Sequence, residues 1–336
     1  MSSYQIKIAE AGDWEALRDF FKEVYKPNHI IADYDYFAWQ YKDVPGNQFF
    51  PRFSSLILLK DSQIIAHLGM IPYFFNVSGE ERRAAYLTNL IARQEFRSRG
   101  AGVFLLKEAE KYFDLVYTTS YNAVVAPIYK SMLWSPEEKM RRWVRQDLDH
   151  LEPPAAERII TVKKFDEHWA KNWQELKRHF PATIERSPEY LNWRFFGNPK
   201  VQYEILGLQD GRGLINGFIA LRLERGNDFS AVRIVDLAAA PEDAETLITA
   251  GLKYAGQERA DFVDFFSTAP IYDSAFQKLK FYLYNNRDAD PPIFILPTNR
   301  DKTFFNFSYK FTKNKPSLGN ENLFVTKSDG DRDRPY

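Results

Sequence analysis

The stretch LIARQEFRSRGAGVFL at residues 90–105 joins a predicted strand to a predicted helix. Gly100 and Gly102 lie at the turn between the strand and the helix. Because glycine has no side chain, the main chain there can come close to a ligand. The first turn of the helix offers unpaired N–H groups and the positive end of its dipole, and Arg97 and Arg99 add charged donors. The pattern predicts a phosphate site, with a plain helix cap as the alternative. It lacks the third glycine of a dinucleotide fingerprint.

A second motif follows in the next strand and helix. A strand is predicted over residues 116–118, Asn122 follows it, and Tyr129 comes seven residues later, at the start of YKSMLW. Together the two motifs resemble those of the GNAT acyltransferase superfamily, which has an Arg-x-x-Gly-x-Gly pyrophosphate loop and a later Tyr-x-Lys-Leu-Gly-Phe element. Leu133 replaces the usual glycine of that element, so we expect the turn after this helix to be built differently.

The resemblance implies a role for each matching residue. The co-substrate would be an acyl-CoA, either acetyl-CoA or a short hydroxyacyl-CoA, and no metal would take part. The main chain of the strand would hold the pantetheine arm and the loop amides the pyrophosphate; the residues concerned are Leu90, Ile91, Ala92, Arg97, Ser98, Arg99, Gly100, Ala101 and Gly102. Tyr129 would protonate the leaving thiolate, with a packing role as its alternative, and Asn122 would contact the cofactor. A tyrosine suits the acid role because its pKa of about 10 lies above the value of about 8.5 for a thiol.

The opening of the chain returns near its middle, which indicates two copies of one domain. The strand and helix at residues 4–25 are repeated at residues 158–176, and the hairpin at residues 54–69 is repeated at residues 203–219. Consecutive prolines in the segment 151–157 disfavour both helix and central strand, so we place the join there. The predicted fold class is α/β (α+β), with two GNAT-like domains in tandem, each a mixed twisted sheet flanked by helices.

These boundaries assign different tasks to the parts of the chain. Residues 1–150 form the domain expected to bind acyl-CoA, and residues 151–312 a degenerate copy expected to bind the acceptor. Residues 313–336 are a polar tail, for which disorder is the simplest interpretation. The apolar residues within 322–326 leave open that the tail folds back onto the second domain.

The second copy lacks the chemistry of the first. Its loop, within residues 236–247, has no glycine and three carboxylates, which would repel a pyrophosphate. Phe276 takes the place of Tyr129. We therefore expect the second copy to have lost acyl-CoA binding and either to hold the acceptor or to stabilise the first copy.

The acceptor is suggested by a narrower resemblance. The helix motif YLNWRF at residues 190–195 and the ending DGDRDRP resemble bacterial N-acyltransferases that act on amino deoxysugars linked to dTDP or UDP. The residues themselves fit such an acceptor: Arg194 could meet a diphosphate and Trp193 could stack on a base. Asp236, on the second-copy strand opposite Asn89, is the third residue expected to bind the substrate. For Trp193 the alternative is structural, because Trp39 occupies the matching place in the first copy.

The general base is harder to assign. His67 lies on a predicted hairpin strand and could face the cleft with a pKa near neutrality. The alternative is a hydrogen-bonded core histidine. Because an amine can lose its proton to water, no base is strictly required.

Composition narrows the partners. Lys plus Arg equals Asp plus Glu at 45 each, so no net positive charge favours nucleic acid. The sequence has no cysteine, which excludes disulfides, thiolate zinc sites and a cysteine acyl-enzyme. No apolar stretch reaches the length of a membrane span and no signal peptide is recognised, so we expect a cytoplasmic protein. We also expect a monomer or a weak homodimer. Two other functions stay open: transfer of an aminoacyl group to a cell-wall peptide, and non-catalytic sensing of acyl-CoA.

Overall fold

The computed structural model describes residues 4–50, 52–121, 124–148, 158–285, 290–296, 298–301, 303–316 and 322–334. The helices are α1 Trp14–Val24, α2 Tyr34–Tyr41, α3 Ala101–Ala109, α4 Ala126–Ser131, α5 Glu167–Leu176, α6 Pro188–Leu191, α7 Ala244–Gln257 and α8 Asp273–Lys278; a π-helical turn, Asn192–Phe196, follows α6. The strands are β1 Tyr4–Ile8, β2 Ser55–Lys60, β3 Gln63–Val77, β4 Glu80–Ala92, β5 Leu115–Thr119, β6 Glu138–Lys139, β7 Arg141–Arg145, β8 Ile159–Thr161, β9 Ala182–Ile184, β10 Glu204–Gln209, β11 Ile215–Arg225, β12 Ser230–Ala238, β13 Phe262–Ser267, β14 Tyr282–Leu283, β15 Phe294–Ile295, β16 Thr298–Asn299, β17 Asn306–Phe311 and β18 Leu323–Phe324.

The helices form where the sequence supplies caps and an apolar stripe. The carboxylate of Asp33 accepts from the amide of Tyr36 at the start of α2, and Asp166 caps α5 in the same way. In α1 the buried side chains are Leu17, Phe20 and Phe21, spaced three and one apart on one face. These faces pack on the sheets and position them.

The two large sheets have the same strand order. The first runs β1-β2-β3-β4-β5-β17-β6, and the second runs β8-β10-β11-β12-β13-β7-β14. In both, neighbours are antiparallel except for the fourth and fifth strands, which are parallel. The expected mixed α/β fold with helix-flanked sheets is confirmed, and the shared order is consistent with two GNAT-like units.

Each half of the chain contributes strands to the sheet of the other half. Strand β7 comes from the first half of the chain but lies beside β13 in the second sheet. Strand β17 comes late in the chain but lies beside β5 in the first sheet. The predicted join at residues 151–157 lies outside the described residues, and the domain limits stay a prediction; the exchange shows that neither sheet is complete without the other half.

The final segment, residues 322–334, is buried between the two sheets. Strand β18 pairs with β9, and β9 pairs with β3 of the first sheet. The side chains of Lys327, Ser328, Asp329, Asp331 and Asp333 are all buried. Of the two alternatives for this tail, folding back is the one that the described part adopts.

Candidate active site

The parallel strands β4 and β5 part in the middle of the first sheet. They pair only where Ala84, Ala85 and Tyr86 face residues 115–117. Beyond Tyr86, β4 continues beside β3 as far as Ala92, while β5 continues beside β17. The result is a split that opens toward the loop between β4 and α3, which is where the sequence places the acyl-CoA site.

A bulge in β4 helps to open this split, and His67 holds it in place. Asn89 has a φ of 50°, and the pairing of β3 with β4 shifts register beside it. Nδ1 of His67 donates to the carbonyl oxygen of Asn89 at 3.0 Å, and Nε2 accepts from the hydroxyl of Ser55 at 2.8 Å. A carbonyl oxygen can only accept, so Nδ1 carries the proton.

His67 is therefore not placed as the expected base. Its side chain is fully buried, and burial lowers its pKa to about 4. Both ring nitrogens are already hydrogen-bonded within the chain. The core alternative holds for this histidine, and it positions the strand that carries Asn89.

The loop after β4 has the features of an anion site. A 3-10 turn, Gln94–Arg99, leads to Gly100, whose φ of 79° is the left-handed conformation that glycine adopts freely. No side chain caps the start of α3, so its first N–H groups lack partners within the helix. The side chains of Arg97, Ser98 and Arg99 are exposed around these amides.

The glycines leave room at this corner. A Cβ on Gly102 would come within 3.6 Å of the side chain of Leu90, and a Cβ on Gly100 within 3.8 Å of the ring of Phe104. The Arg97 Nε donates to the carbonyl of Ala92 at 3.1 Å, which ties the loop to the end of β4. The loop amides, the two arginines and the end of the strand thus lie at one corner of the split.

Tyr129 lies beside the split on α4. Its hydroxyl is hydrogen-bonded to Thr118, which follows the last residue of β5 that pairs with β4. Its ring packs against Tyr121 and Trp134, at centroid distances of 4.9 and 4.5 Å. Burial raises the pKa of Tyr129 well above its usual value, so the phenol stays protonated. Asn122, its expected companion, lies outside the described residues.

The turn after α4 differs from the expectation. Leu133 has a φ of 60°, so it adopts the left-handed conformation in which a glycine would be at ease. The turn therefore keeps its backbone geometry despite the leucine, and the expectation of a different turn was wrong. The leucine side chain is exposed, and its Cβ makes this conformation cost about 1–2 kcal/mol more than a glycine would.

The final segment covers the opposite face of the split, a feature that the sequence analysis missed. The Asp331 carboxylate accepts from the hydroxyls of Tyr86 at 2.9 Å and Thr88 at 2.7 Å. Arg334 donates to the side chain of Asn89 at 3.2 Å. Although burial raises it, the pKa of Asp331 is held well below its usual range by Arg332 and Arg334. The hydrophilic character of DGDRDRP suggested a solvated tail and concealed this role.

In the second sheet the corresponding split is filled by the chain itself. Strands β12 and β13 pair as far as Ile234 and Phe265 and then part. Beyond that point the main chain of Thr326 bridges that of Ser267, and Thr268 donates to the carbonyl of Val325 at 3.1 Å.

Asp236 does not face a substrate. Both of its oxygens accept from Arg186, at 2.8 and 3.0 Å, and both side chains are fully buried. Arg186 also bonds Asp329 of the final segment at 3.1 Å. The expectation that Asp236 binds the substrate is therefore wrong. Its carboxylate is instead neutralised by Arg186 in the buried region between the two sheets, which we call the seam.

Arg194 is also satisfied within the chain. Its guanidinium donates to the carbonyl of Ser328 at 2.7 Å, to the hydroxyl of Tyr203 at 2.8 Å and to the carboxylate of Asp333 at 2.5 Å. Only 1% of the residue is exposed, so no diphosphate reaches it in this structure. Trp193 stacks on Trp39, which is the structural alternative stated for it.

The described residues contain no group of three or more His, Asp and Glu side chains arranged to hold a metal ion. Within the same ranges no helix has the length and apolar character needed to cross a membrane.

Comparison with known proteins finds a family model that matches about a third of the chain. Residues 14–125 match the sequence model of the acetyltransferase (GNAT) family. No curated protein matches the sequence at a significant level. The family match and the fold support the expected acyltransferase class.

Three solved structures illustrate the similarity of fold. A GCN5-related N-acetyltransferase from Anabaena variabilis superposes with a TM-score of 0.66 at 13% identity, covering 93% of this chain and 73% of that one. N-myristoyltransferase from Saccharomyces cerevisiae, with bound myristoyl-CoA, gives 0.57 at 14%, covering 94% and 84%. A probable N-acyltransferase from Enterococcus faecalis gives 0.56 at 12%, covering 79% of this chain but only 65% of that one. At these identities the similarity shows the fold.

Proposed function

We propose that this protein transfers an acyl group from acyl-CoA to the amino group of an acceptor, at the split between β4 and β5. The observation that carries the proposal is the combination of this split with the uncapped start of α3 at its mouth. A single extended ligand with a phosphate-bearing end and an amide-containing arm matches both features. The solved structures that share the fold include one with bound myristoyl-CoA, and another described as a probable N-acyltransferase.

Different groups at the split would bind different parts of acyl-CoA. The amides from Arg97 to Gly102 would receive the pyrophosphate, helped by the side chains of Arg97 and Arg99. The main chain of Leu90, Ile91 and Ala92 would pair with the pantetheine amides. The second sheet offers no such place, because its split is closed by residues 325 and 326.

The reaction needs no nucleophilic side chain. The acceptor amine attacks the thioester carbonyl, an N–C bond forms, and the C–S bond breaks. The proton on the attacking nitrogen passes to water, and the hydroxyl of Tyr129 gives its proton to the departing thiolate and recovers one from solvent. Its raised pKa keeps that hydroxyl protonated before the transfer.

We propose an amino deoxysugar linked to dTDP or UDP as the acceptor, on the resemblance of the helix motif and the chain ending. Arg194 was expected to bind the diphosphate, but its guanidinium already donates to the carboxylate of Asp333. It therefore gives this choice of acceptor no support. The acceptor therefore has to be identified by a substrate panel. We also propose that the protein acts in the cytoplasm.

The experiment is an acylation assay with acetyl-CoA and two classes of acceptor. Nucleotide-linked 3-amino and 4-amino deoxysugars are compared with amino-acid and peptide amines, and products are detected by mass spectrometry. Acylation of a nucleotide sugar supports the full proposal. Acylation of a peptide alone refutes the sugar acceptor, and absence of turnover despite CoA binding favours an acyl-CoA sensor.

A further inference from the structure

The final segment, residues 322–334, contacts both strands of the first split on one face of the sheet. On the β5 side, the hydroxyl of Tyr117 donates to the main-chain carbonyl of Asp329 at 2.5 Å. On the β4 side, the hydroxyl of Thr88 donates to the carboxylate of Asp331 at 2.7 Å. The segment therefore bridges the two strands in the region where they part.

The hydroxyl of Tyr86 joins this segment to both strands at once. Tyr86 is the last residue of β4 that pairs with β5, and its side chain is fully buried. Its oxygen lies 2.9 Å from a carboxylate oxygen of Asp331, 3.1 Å from Nε of Arg332 and 3.2 Å from the hydroxyl of Thr119. Thr119 is the last residue of β5, so one hydroxyl connects β4, β5 and the final segment where the split begins.

The hydrogen bonds around Tyr86 have fixed directions. A carboxylate can only accept, so the Tyr86 hydroxyl gives its one proton to Asp331. The tyrosine oxygen then accepts from Nε of Arg332 and from the hydroxyl of Thr119. Burial raises the pKa of Asp331, but Arg332 and Arg334 hold that pKa well below its usual range, so the carboxylate stays ionised. The whole arrangement therefore depends on the charge of Asp331.

The end of β5 is held from both faces of the sheet. Successive side chains of a strand point to opposite faces. Thr118 is hydrogen-bonded to the hydroxyl of Tyr129, whereas Thr119 is hydrogen-bonded to that of Tyr86. Both threonines are buried. A shift of this strand end would therefore move the residue to which the Tyr129 hydroxyl is anchored.

Asp331 also fixes the strand that would hold the acyl-CoA. Thr88, its second partner, directly precedes the bulge at Asn89. The side chain of Asn89 accepts from Arg334 at 3.2 Å, and Arg334 in turn donates to Asp331 at 2.9 Å. The next residues, 90–92, are those whose main chain would pair with the pantetheine. A shift of Thr88 would therefore move the thioester.

We infer that Asp331 is a positioning residue for acyl transfer, which fixes the spacing between the strand carrying acyl-CoA and the strand anchoring Tyr129. This inference rests on the proposed function and deepens it, since Asp331 acts through Tyr86 and Thr88 and not by contact with a substrate. Without the carboxylate, both hydroxyls lose their acceptor and the two strands can shift against each other. A displacement of about 1 Å at the reacting groups can cost about 10²-fold in rate.

The test compares variants of the full-length protein. Asp331→Leu removes the acceptor, whereas Asp331→Asn keeps an oxygen that still accepts. Tyr86→Phe keeps the ring but breaks the connection to Thr119, and it carries the test should Asp331→Leu fail to fold. Tyr272→Phe is the matched control, because its buried hydroxyl bonds the main chain of Ala239 in the second sheet. Circular dichroism and urea unfolding establish which variants are folded.

Hydrogen exchange followed by mass spectrometry tests the strand contacts without any substrate. In Asp331→Leu and Tyr86→Phe we expect about ten-fold faster exchange in residues 84–92 and 115–119, the effect of losing one buried hydrogen bond. Asp331→Asn should lie closer to the unaltered protein, and Tyr272→Phe should not change these two stretches. Unchanged exchange there in both Asp331→Leu and Tyr86→Phe would overturn the inference.

Steady-state kinetics test the positioning itself, with an acceptor found in the acylation assay. Asp331→Leu and Tyr86→Phe should each lower kcat about 10–10²-fold. Their CoA affinity should change far less, because the loop at residues 97–102 is untouched. The double variant should lose no more turnover than the more affected single variant, since both act through one hydroxyl. Asp331→Asn should recover most of the loss, and Tyr272→Phe should keep the full kcat.

The two measurements separate this inference from the proposed function. If the unaltered protein acylates an amine and folded Asp331→Leu does so with the same kcat, the proposed function stands and the inference fails. Equal losses of kcat and CoA affinity would also overturn it, because they indicate damage to the binding site as a whole. If no amine is acylated, the proposed function fails and the catalytic part of the inference fails with it, while the exchange rates still decide whether Asp331 holds both strands.

Discussion

The main chain of Thr326 bridges that of Ser267 beyond the point where β13 has parted from β12. The final segment thereby fills the split of the second sheet. In the first sheet the same segment bonds side chains on one face of the central strands, among them those of Tyr86, Thr88 and Asn89, and leaves the split between β4 and β5 unfilled by described residues. Two sheets of equal strand order thus differ in whether a ligand has room between their central strands.

Arg186 should be required for folding and not for catalysis. Arg186→Met leaves the buried carboxylates of Asp236 and Asp329 without their cation, so we expect a loss of about 3–5 kcal/mol of unfolding free energy. Urea unfolding measures it. Arg178→Met, which removes an exposed pair with Glu175, is the control and should change stability by less than about 0.5 kcal/mol. Equal small effects in both would show that the seam does not depend on this charge cluster.

Trp39 and Trp193 should act as one structural unit. Their rings stack at 4.8 Å, and each indole N–H donates to the main-chain carbonyl of the other, at 3.0 and 2.9 Å. A double-mutant cycle with alanine at both positions should give a coupling energy of about 0.5–3 kcal/mol. CoA affinity should stay unchanged in both single variants that remain folded. Additive effects, or loss of acceptor binding without loss of stability, would restore Trp193 as a substrate residue.

Tyr129→Phe should slow turnover by about 10²–10⁴-fold while leaving CoA affinity nearly unchanged. The phenylalanine keeps the packing on Tyr121 and Trp134 but has no proton to give. Steady-state kinetics and calorimetry measure the two effects. Tyr112→Phe, in the turn after α3, is the control. A fully active Tyr129→Phe enzyme would make this residue a packing residue only.

Stability should fall as the pH is lowered from about 6.5 to about 4. In the unfolded chain His67 takes up a proton near its ordinary pKa of 6.5, whereas in the folded protein burial lowers that pKa to about 4. The unfolded state therefore binds more protons over this range, and up to about 3 kcal/mol of stability is lost. Urea unfolding at several pH values should show a shallower dependence in His67→Gln. An identical dependence in that variant would mean that His67 is not the group responsible.

Local chemistry was predictable where a backbone feature demands particular residues. Gly100 marks a left-handed position, and the structure has φ of 79° there. The same logic failed at Leu133, because a leucine adopts the left-handed conformation there at a steric cost of only about 1–2 kcal/mol. The α/β class followed from alternation and helix caps, which are local properties of the chain.

Long-range contacts were not predictable in the same way. Arg194 carries a charge that suits a diphosphate, and nothing near it in sequence shows that Asp333 lies 2.5 Å away. Asp236 and Arg186 are likewise distant in the chain and paired in the seam. The exchange of β7 and β17 between sheets joins residues that no periodicity relates. These are consequences of topology, which residue patterns alone do not record.

The central claim is that the first sheet, and only the first, binds acyl-CoA at the loop around Gly100. Isothermal titration with CoA tests it directly, using the unaltered protein and the variants Gly100→Val, Gly79→Val and Asp243→Ala. Gly79 has a φ of 90°, so its valine variant controls for backbone strain away from the loop, and Asp243 lies at the equivalent corner of the second sheet. We predict one equivalent of CoA per chain, lost in Gly100→Val and retained in the other two. Two equivalents, or unchanged binding in Gly100→Val, would contradict the account.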